Sequence, residues 1–152
     1  MRVDVPGRPP IELDHALFDL NGTLTDRGAL IDGVPELMRD LAARLRVHLL
    51  SADTFGTAGE IARKLGLDLQ LVGAGAEKRH YLEELGPQRC AAVGNGSNDA
   101  PMLEAAALGI AVIGPEAASA AALRAADVVA RSIHEALGVL LDPRLLTATL
   151  RA

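Results

Sequence analysis

The chain has 152 residues, 49% of them hydrophobic, 2% aromatic and 23% charged, with a formal net charge of −5. That length predicts one domain over 1–152 with no need of covalent staples, because a chain near 150 residues buries about 70% of its unfolded surface. The single cysteine, Cys90, excludes a disulfide framework and a thiolate zinc site. The acidic balance and the scarcity of aromatics (Phe18, Phe55, Tyr81) exclude a nucleic-acid binder.

In chain order, Val3 and Val5 face Ile11 and Leu13 across a Pro/Gly-rich turn, which predicts a small N-terminal β-hairpin. Residues 16–19 read as a short buried strand. Val34, Leu37, Met38, Leu41 and Leu45 recur at helical spacing behind Pro35. Strand and helix then alternate: strand 47–50, helix 57–65 closed by Gly66, strand 67–72, helix 77–85 closed by Gly86. Strand 90–93, helix 98–107, strand 109–113, an Ala-rich helix 116–125, strand 127–130 and a helix from Ile133 to Leu141 follow. Such alternation implies an α/β fold, a three-layer α/β/α sandwich with a mainly parallel sheet. Cys90 opens an apolar strand and reads as a buried small hydrophobe. Neither the N-terminus, Met1 to Pro10, nor the longest near-apolar run, Ala105 to Pro115, resembles a signal peptide or the ~20 residues that span a bilayer. The expectation is a cytoplasmic protein with no membrane partner.

Ligands of such sheets bind beyond the carboxyl ends of the strands. Three polar clusters fall there: Asp19-Leu20-Asn21-Gly22-Thr23, Ser51-Ala52-Asp53, and Gly94-Asn95-Gly96-Ser97-Asn98-Asp99. Each has a plain reading. Asn21-Gly22 is a common turn, Ser51 or Asp53 could cap the following helix, and Lys78 could be a solvated helix lysine. His80 reads as a helix-surface residue.

Taken together and in order, the motifs resemble the haloacid dehalogenase (HAD) superfamily of phosphoryl-transfer enzymes. Asp19-Leu-Asn-Gly-Thr-Leu-Thr25 resembles its first motif. Ser51 stands where the family has Ser or Thr, and Lys78 where it has Lys or Arg. Gly94-Asn-Gly-Ser-Asn-Asp-Ala-Pro-Met-Leu103 resembles its acidic motif. Ser51-Ala52-Asp53 and Asn98-Asp99-Ala100-Pro101 are most similar to the phosphorylation domain of P-type cation-transporting ATPases, and the chain resembles their small free-standing relatives. The resemblance covers roughly residues 11–140. It implies a Rossmann-like, HAD-like fold and a Mg²⁺-dependent phosphatase working through an aspartyl-phosphate.

The roles it implies fall on residues suited to them. Asp19 is the nucleophile, with Asn21, Ser51 and Lys78 as its catalytic companions. Asn21, Gly22, Thr23, Ser51, Ala52, Lys78 and Asn98 hold phosphate. Mg²⁺ is held by Asp19, the Asn21 backbone carbonyl, Asn95 and Asp99, the direct ligand among Asn95, Asn98 and Asp99 being open. Asp53 has either a capping or a phosphate-site role.

Two positions depart from the pattern. Asn21 replaces the Asp that usually transfers the proton, a loss worth about 10²–10⁴-fold, so turnover is expected to be slow. Asn95 replaces an Asp and removes one charge from the metal site. The alternatives are a phosphate-binding or phosphorylation-state regulatory module with little turnover, or a scaffold in which the site only stabilises the fold. Only 32 residues separate Asp19 from Ser51, and 27 separate Ser51 from Lys78, so no cap domain fits and the site should be open. The expected partner is a phosphorylated small molecule or phosphoprotein, and the exposed edges of the N-terminal hairpin make a homo-oligomer possible. No room exists between the motifs for a nucleotide-binding domain, which argues against ATP as donor.

Overall fold

The computed structural model describes residues 1–53 and 56–151; Phe55, counted above among the aromatics, lies outside them. Strands β1 (Arg2–Val3) and β2 (Ile11–Glu12) form the expected antiparallel hairpin. The central sheet is parallel and holds six strands: β3 (His15–Asp19), β6 (Arg46–Ser51), β7 (Asp68–Leu71), β8 (Cys90–Gly94), β9 (Leu108–Val112) and β10 (Val128–Ala130). A second small hairpin, β4 (Thr25–Asp26) and β5 (Ala29–Leu30), stands directly after the Asp19 loop. Sequence reading misses it because its turn is Arg27-Gly28, not Asn-Gly, yet both residues take positive φ, 49° and 84°, as a two-residue hairpin turn requires.

The strand order is β10-β9-β8-β3-β6-β7. The chain leaves β3 toward one edge through β6 and β7, then returns to the other side of β3 through β8. The order reverses at β3, and in open α/β sheets the crevice at that reversal receives ligands. Asp19 is the last residue of β3 and lies at its mouth.

Two apolar layers cover the sheet. Helices α1 (Val34–Ala42), α2 (Ala58–Leu65), α6 (Ile133–Leu141) and α7 (Pro143–Leu150) share one face with Phe18, Leu49, Val93 and Ile110. Helices α3 (Gly75–Leu85), α4 (Ala100–Ala105) and α5 (Ala120–Ala125) cover the other, over Leu17, Leu50, Ala92 and Ala111. These strand residues alternate between faces, as a pleated strand requires.

Three differences from the sequence reading have local causes. Residues 116–119 are not helical: Gly114 and Ala117 form a bridge, and α5 starts only after Ser119, whose hydroxyl accepts the Ala122 amide. The Gly-Pro pair at 114–115 breaks the chain there. Helix α4 is shorter than 98–107, because the two residues before Ala100 close the Asp99 turn and Ala106 is already extended. Helix α7 is unforeseen; Asp142 accepts the Arg144 amide at its start and Pro143 takes the first turn. It packs on β1, and the Thr147 hydroxyl donates to the Asp4 carbonyl at 2.8 Å. The N-terminal hairpin is therefore docked on the body, with Val3, Val5, Ile11 and Leu13 all buried.

Under the α3 side of the sheet, ring nitrogens join His15 to His48 (3.0 Å), and His48 Nδ1 meets the Tyr81 hydroxyl (2.9 Å). This string links β3, β6 and α3, which carry Asp19, Ser51 and Lys78. Burial lowers the pKa of both rings below the usual 6.5, helped at His15 by Arg46 and at His48 by His15, against weaker opposing fields of Asp14 and Asp68. The unfolded chain then takes up protons first as pH falls below 6.5. The stability these rings contribute is full above that value and is lost as pH drops through their folded pKa values. The histidines are expected to draw the melting midpoint down as pH falls from 7.5 to 5.5, against the opposite effect of Asp19 near pH 6, and His48→Gln to shift that slope toward a rise. An unchanged slope in the variant would remove the histidines as its cause.

Candidate active site

Three loops converge at the carboxyl ends of β3, β6 and β8. The loop after β3 turns sharply: the amides of Thr23, Leu24 and Thr25 all point to the Leu20 carbonyl, and Gly22 sits at φ 76°. That conformation suits glycine. It returns Thr23 beneath Asp19. The Thr23 hydroxyl, fully buried, lies 3.1 Å from Asp19 Oδ2 and 3.1 Å from Asn95 Oδ1. Its single proton serves one of the two at a time, so two oxygens from different strands converge on one donor.

Lys78 comes in from α3. It is one of the largest fully buried side chains of the protein, and its ammonium lies 2.5 Å from Asp19 Oδ1 and 2.6 Å from Asp99 Oδ1. Helix α3 reaches this depth because Gly75, in its first turn, has no Cβ; one there would lie 2.4 Å from the Asn98 carbonyl oxygen. The other oxygen of Asp99 accepts the amides of Asn95 (2.9 Å) and Gly96 (2.8 Å). Both Asp99 oxygens are thus taken by donors of the chain itself. Gly94 makes room for this turn, since a Cβ would fall 2.6 Å from Asp99 Cβ.

Burial lifts the Asp19 carboxyl to about 6, the neighbouring Asp99 carboxylate adds to this, and Lys78 and Thr23 oppose it. Burial alone would depress Lys78, but its two carboxylates outweigh burial and hold the ammonium above its ordinary value. The cation is therefore permanently charged near neutrality, and it faces two carboxylates.

Ser51 ends β6 and is buried. Its oxygen accepts the Asp53 amide at 2.9 Å, which leaves the hydroxyl proton free to donate toward the crevice. Asp53, in the left-handed region at φ 52°, accepts the Ala58 amide at 3.0 Å. That amide is the first of α2, whose N-cap position is Thr57. Asn21 is half-buried, whereas Ala52 and Asn98 are exposed at the rim. The structure thus brings Asp19, Thr23, Lys78, Asn95 and Asp99 into one hydrogen-bonded cluster. His80 is exposed and pairs with Glu84, and Cys90 is buried with its thiol pushed up to about 11.

Sequence reading passes over the loop between β9 and α5. Gly114 backs against the Asp19 loop so closely that a Cβ on it would lie 2.4 Å from the Gly22 carbonyl oxygen, and Glu116 reaches over Gly22. The signal was the Gly114-Pro115 break, hidden by the alanines that follow.

Among the described residues no three His, Cys, Asp or Glu side chains form a cation cluster. The donor set is the Asp19 carboxylate, the Asn21 carbonyl and the Asn95 amide oxygen, with the engaged Asp99 carboxylate behind them. That suits a hard cation which keeps most of its shell as water and phosphate oxygen, as Mg²⁺ does, and does not suit a site built wholly of protein ligands.

Comparison with known proteins agrees with this arrangement. A sequence model of the haloacid dehalogenase-like hydrolases matches residues 26–107. The chain belongs to that family. The match begins after the Asp19 loop and covers the stretch that carries Ser51, Lys78, Asn95 and Asp99. An uncharacterized protein of Methanocaldococcus jannaschii is 41% identical over 78 residues, 49% of this chain and 84% of that one. A copper-exporting P-type ATPase of Staphylococcus haemolyticus is 35% identical over 121 residues, 74% of this chain. The chain spans only 15% of that ATPase. Among solved structures, the 3-deoxy-D-manno-octulosonate 8-phosphate phosphatase of Moraxella catarrhalis, in complex with magnesium, phosphate and a sugar acid, superposes with a TM-score of 0.70 at 14% identity. The superposition covers 90% of each chain. The HAD-like hydrolase shares its architecture with that phosphatase. In the described residues, only the β4–β5 hairpin and α1 occupy the stretch between Asp19 and β6, and no cap module stands there. Among the described residues no helix is long and apolar enough to cross a membrane.

Proposed function

We propose that this HAD-like hydrolase is a Mg²⁺-dependent phosphatase in which Asp19 attacks the phosphorus of a phosphorylated substrate. The observation that carries this reading is the fully buried Lys78 ammonium held between Asp19 and Asp99. A permanent cation at that point keeps Asp19 ionised despite its burial and offers charge to an incoming phosphoryl group. Asp19 oxygen bonds to phosphorus as the bond to the leaving oxygen breaks, and the leaving group takes its proton from water. Water then attacks the phosphorus of the aspartyl-phosphate, which releases inorganic phosphate and restores the carboxylate. Ser51 donates its hydroxyl proton to a phosphoryl oxygen, Thr23 orients Asp19 from beneath, and the backbone around Gly22, with Ala52 and Asn98 at the rim, completes the cradle. Mg²⁺, when bound, would supply positive charge to the phosphoryl oxygens. Asp19, the Asn21 carbonyl and Asn95 Oδ1 would hold it, with Asp99 behind them because its oxygens are already engaged.

Asn21 cannot exchange a proton at neutral pH, so both steps lack a general acid and base. Turnover is expected to be slow, and Asn21→Asp to raise it about 10²-fold or more, read as kcat on a panel of phosphomonoesters and acyl phosphates. No gain would mean that proton transfer does not limit the rate. Chelation with EDTA is expected to abolish turnover and Mg²⁺ to restore it. The same amide favours a second reading, a module whose phosphorylated state matters more than its turnover. Beryllium fluoride that traps the site and alters binding to a partner, with negligible hydrolysis, would select that reading.

A further inference from the structure

Asn95 has two ends, and its surroundings decide which one faces the site. Its Nδ2 donates to the Ala117 carbonyl at 3.1 Å, and its Oδ1 lies 3.1 Å from the Thr23 hydroxyl. A carbonyl only accepts, so the nitrogen belongs on that side. A carboxylate stands on the same side, without a hydrogen bond to that nitrogen. A Cβ on Gly22 would lie 2.7 Å from Glu116 Oε2 and 2.9 Å from Asn95 Nδ2, so these two atoms flank one point and are at most 5.6 Å apart.

The loop that carries both acceptors is held in place. The Ala117 amide donates to Gly114 (3.0 Å), the Ser119 amide donates to the Asn95 carbonyl (2.8 Å), and Gly114 rests on the Gly22 carbonyl. Ala117 itself is left-handed at φ 61°, a conformation that costs a non-glycine residue about 1 kcal/mol or more and persists only where its surroundings enforce it.

We propose that Glu116 is a positioning residue of the phosphoryl site, acting through Asn95: with the Ala117 carbonyl it holds the amide nitrogen outward, so that Oδ1 faces Asp19 and Thr23. The site is built for an amide at 95. A carboxylate there would set an oxygen against two acceptors, one of them charged. The functional part of this inference rests on the phosphoryl reading above; the coupling of the two side chains does not.

The test is a double-mutant cycle of Asn95→Asp and Glu116→Gln, with Glu116→Ala beside it. Calorimetric binding of beryllium fluoride with Mg²⁺ and the thermal midpoint are both read. Glu116→Ala should weaken ligand binding several-fold with little change in midpoint, and Glu116→Gln, which still accepts through Oε1, should bind nearly as the parent does. Asn95→Asp should lose at least tenfold in binding and lower the midpoint, and adding Glu116→Gln should recover much of both losses. Binding by Glu116→Ala equal to the parent's, or strictly additive effects in the cycle, would overturn the proposal. If the parent protein takes up no beryllium fluoride, the phosphoryl reading fails. The midpoints then decide the coupling alone, non-additivity upholding it and additivity refuting it.

Discussion

Replacing Lys78 with methionine is expected to lower the melting midpoint by roughly 10 °C. The substitution keeps the side-chain length but leaves Asp19 and Asp99 facing each other without a cation. Lys78 and Asp99 are fully buried and Asp19 is 6% exposed, so water cannot take the cation's place. Removing one partner of a buried ion pair costs about 3–5 kcal/mol, and each kcal/mol shifts the midpoint of a domain this size by about 2–4 °C. The Asp19 carboxyl, already lifted to about 6, should rise further and become protonated near neutrality. Phosphatase activity should vanish with it. The double change Lys78→Met with Asp99→Asn should regain part of the lost midpoint, because it removes the second uncompensated charge. A midpoint within 2–3 °C of the parent's, about the shift from 1 kcal/mol, would mean that the ammonium does not hold the carboxylates as described.

Asp19→Asn should have opposite effects on activity and stability. Turnover should fall by about 10³-fold or more, the order seen when a nucleophile that acts as part of a unit is removed. Stability should hold or rise. A carboxyl whose folded pKa lies near 6 against an ordinary 3.8 binds more protons folded than unfolded between those values. Its contribution to stability therefore declines as pH rises through that window, and above about pH 6 the whole penalty is present. At one pKa unit per 1.36 kcal/mol the penalty is on the order of 1–3 kcal/mol, and an uncharged amide escapes it while still accepting from Lys78. An unfolded or markedly less stable Asp19→Asn protein would show that the carboxylate serves the fold before the chemistry.

The fold was largely legible because its strands are short apolar runs and its helices carry their own punctuation. Gly66 closes α2 in the left-handed region, as a C-terminal glycine should. Pro35 opens α1 at a favoured place. What stayed hidden depended on tertiary contacts or on weak turn signals. Helix α7 has one fully buried position, Leu146, and takes its stability from docking on β1. Arg27-Gly28 makes a hairpin turn without a strong turn dipeptide.

In the site, the order of the motifs brought Asp19, Ser51, Lys78 and Asp99 to notice, but it could not say how they share protons and charge. Asp99 carries the same carboxylate as Asp19, yet two backbone amides and Lys78 occupy its oxygens, a fact set by the turn at Gly94 and Gly96. The bond from the Ala58 amide to Asp53 depends on how the chain between β6 and α2 turns, which the residue types do not show. Glu116 was invisible because nothing in its neighbourhood along the chain points to Gly22, far away in sequence and adjacent in space.

The most direct measurement of the central claim is peptide mapping by mass spectrometry after acid quench of the protein incubated with acetyl phosphate and, separately, p-nitrophenyl phosphate in the presence of Mg²⁺. A hydroxylamine-labile phosphoryl group on Asp19 is expected to accumulate, because Asn21 cannot assist its hydrolysis, and to disappear in Asp19→Asn. Turnover without that adduct, an adduct on another residue, or neither turnover nor adduct would contradict that claim.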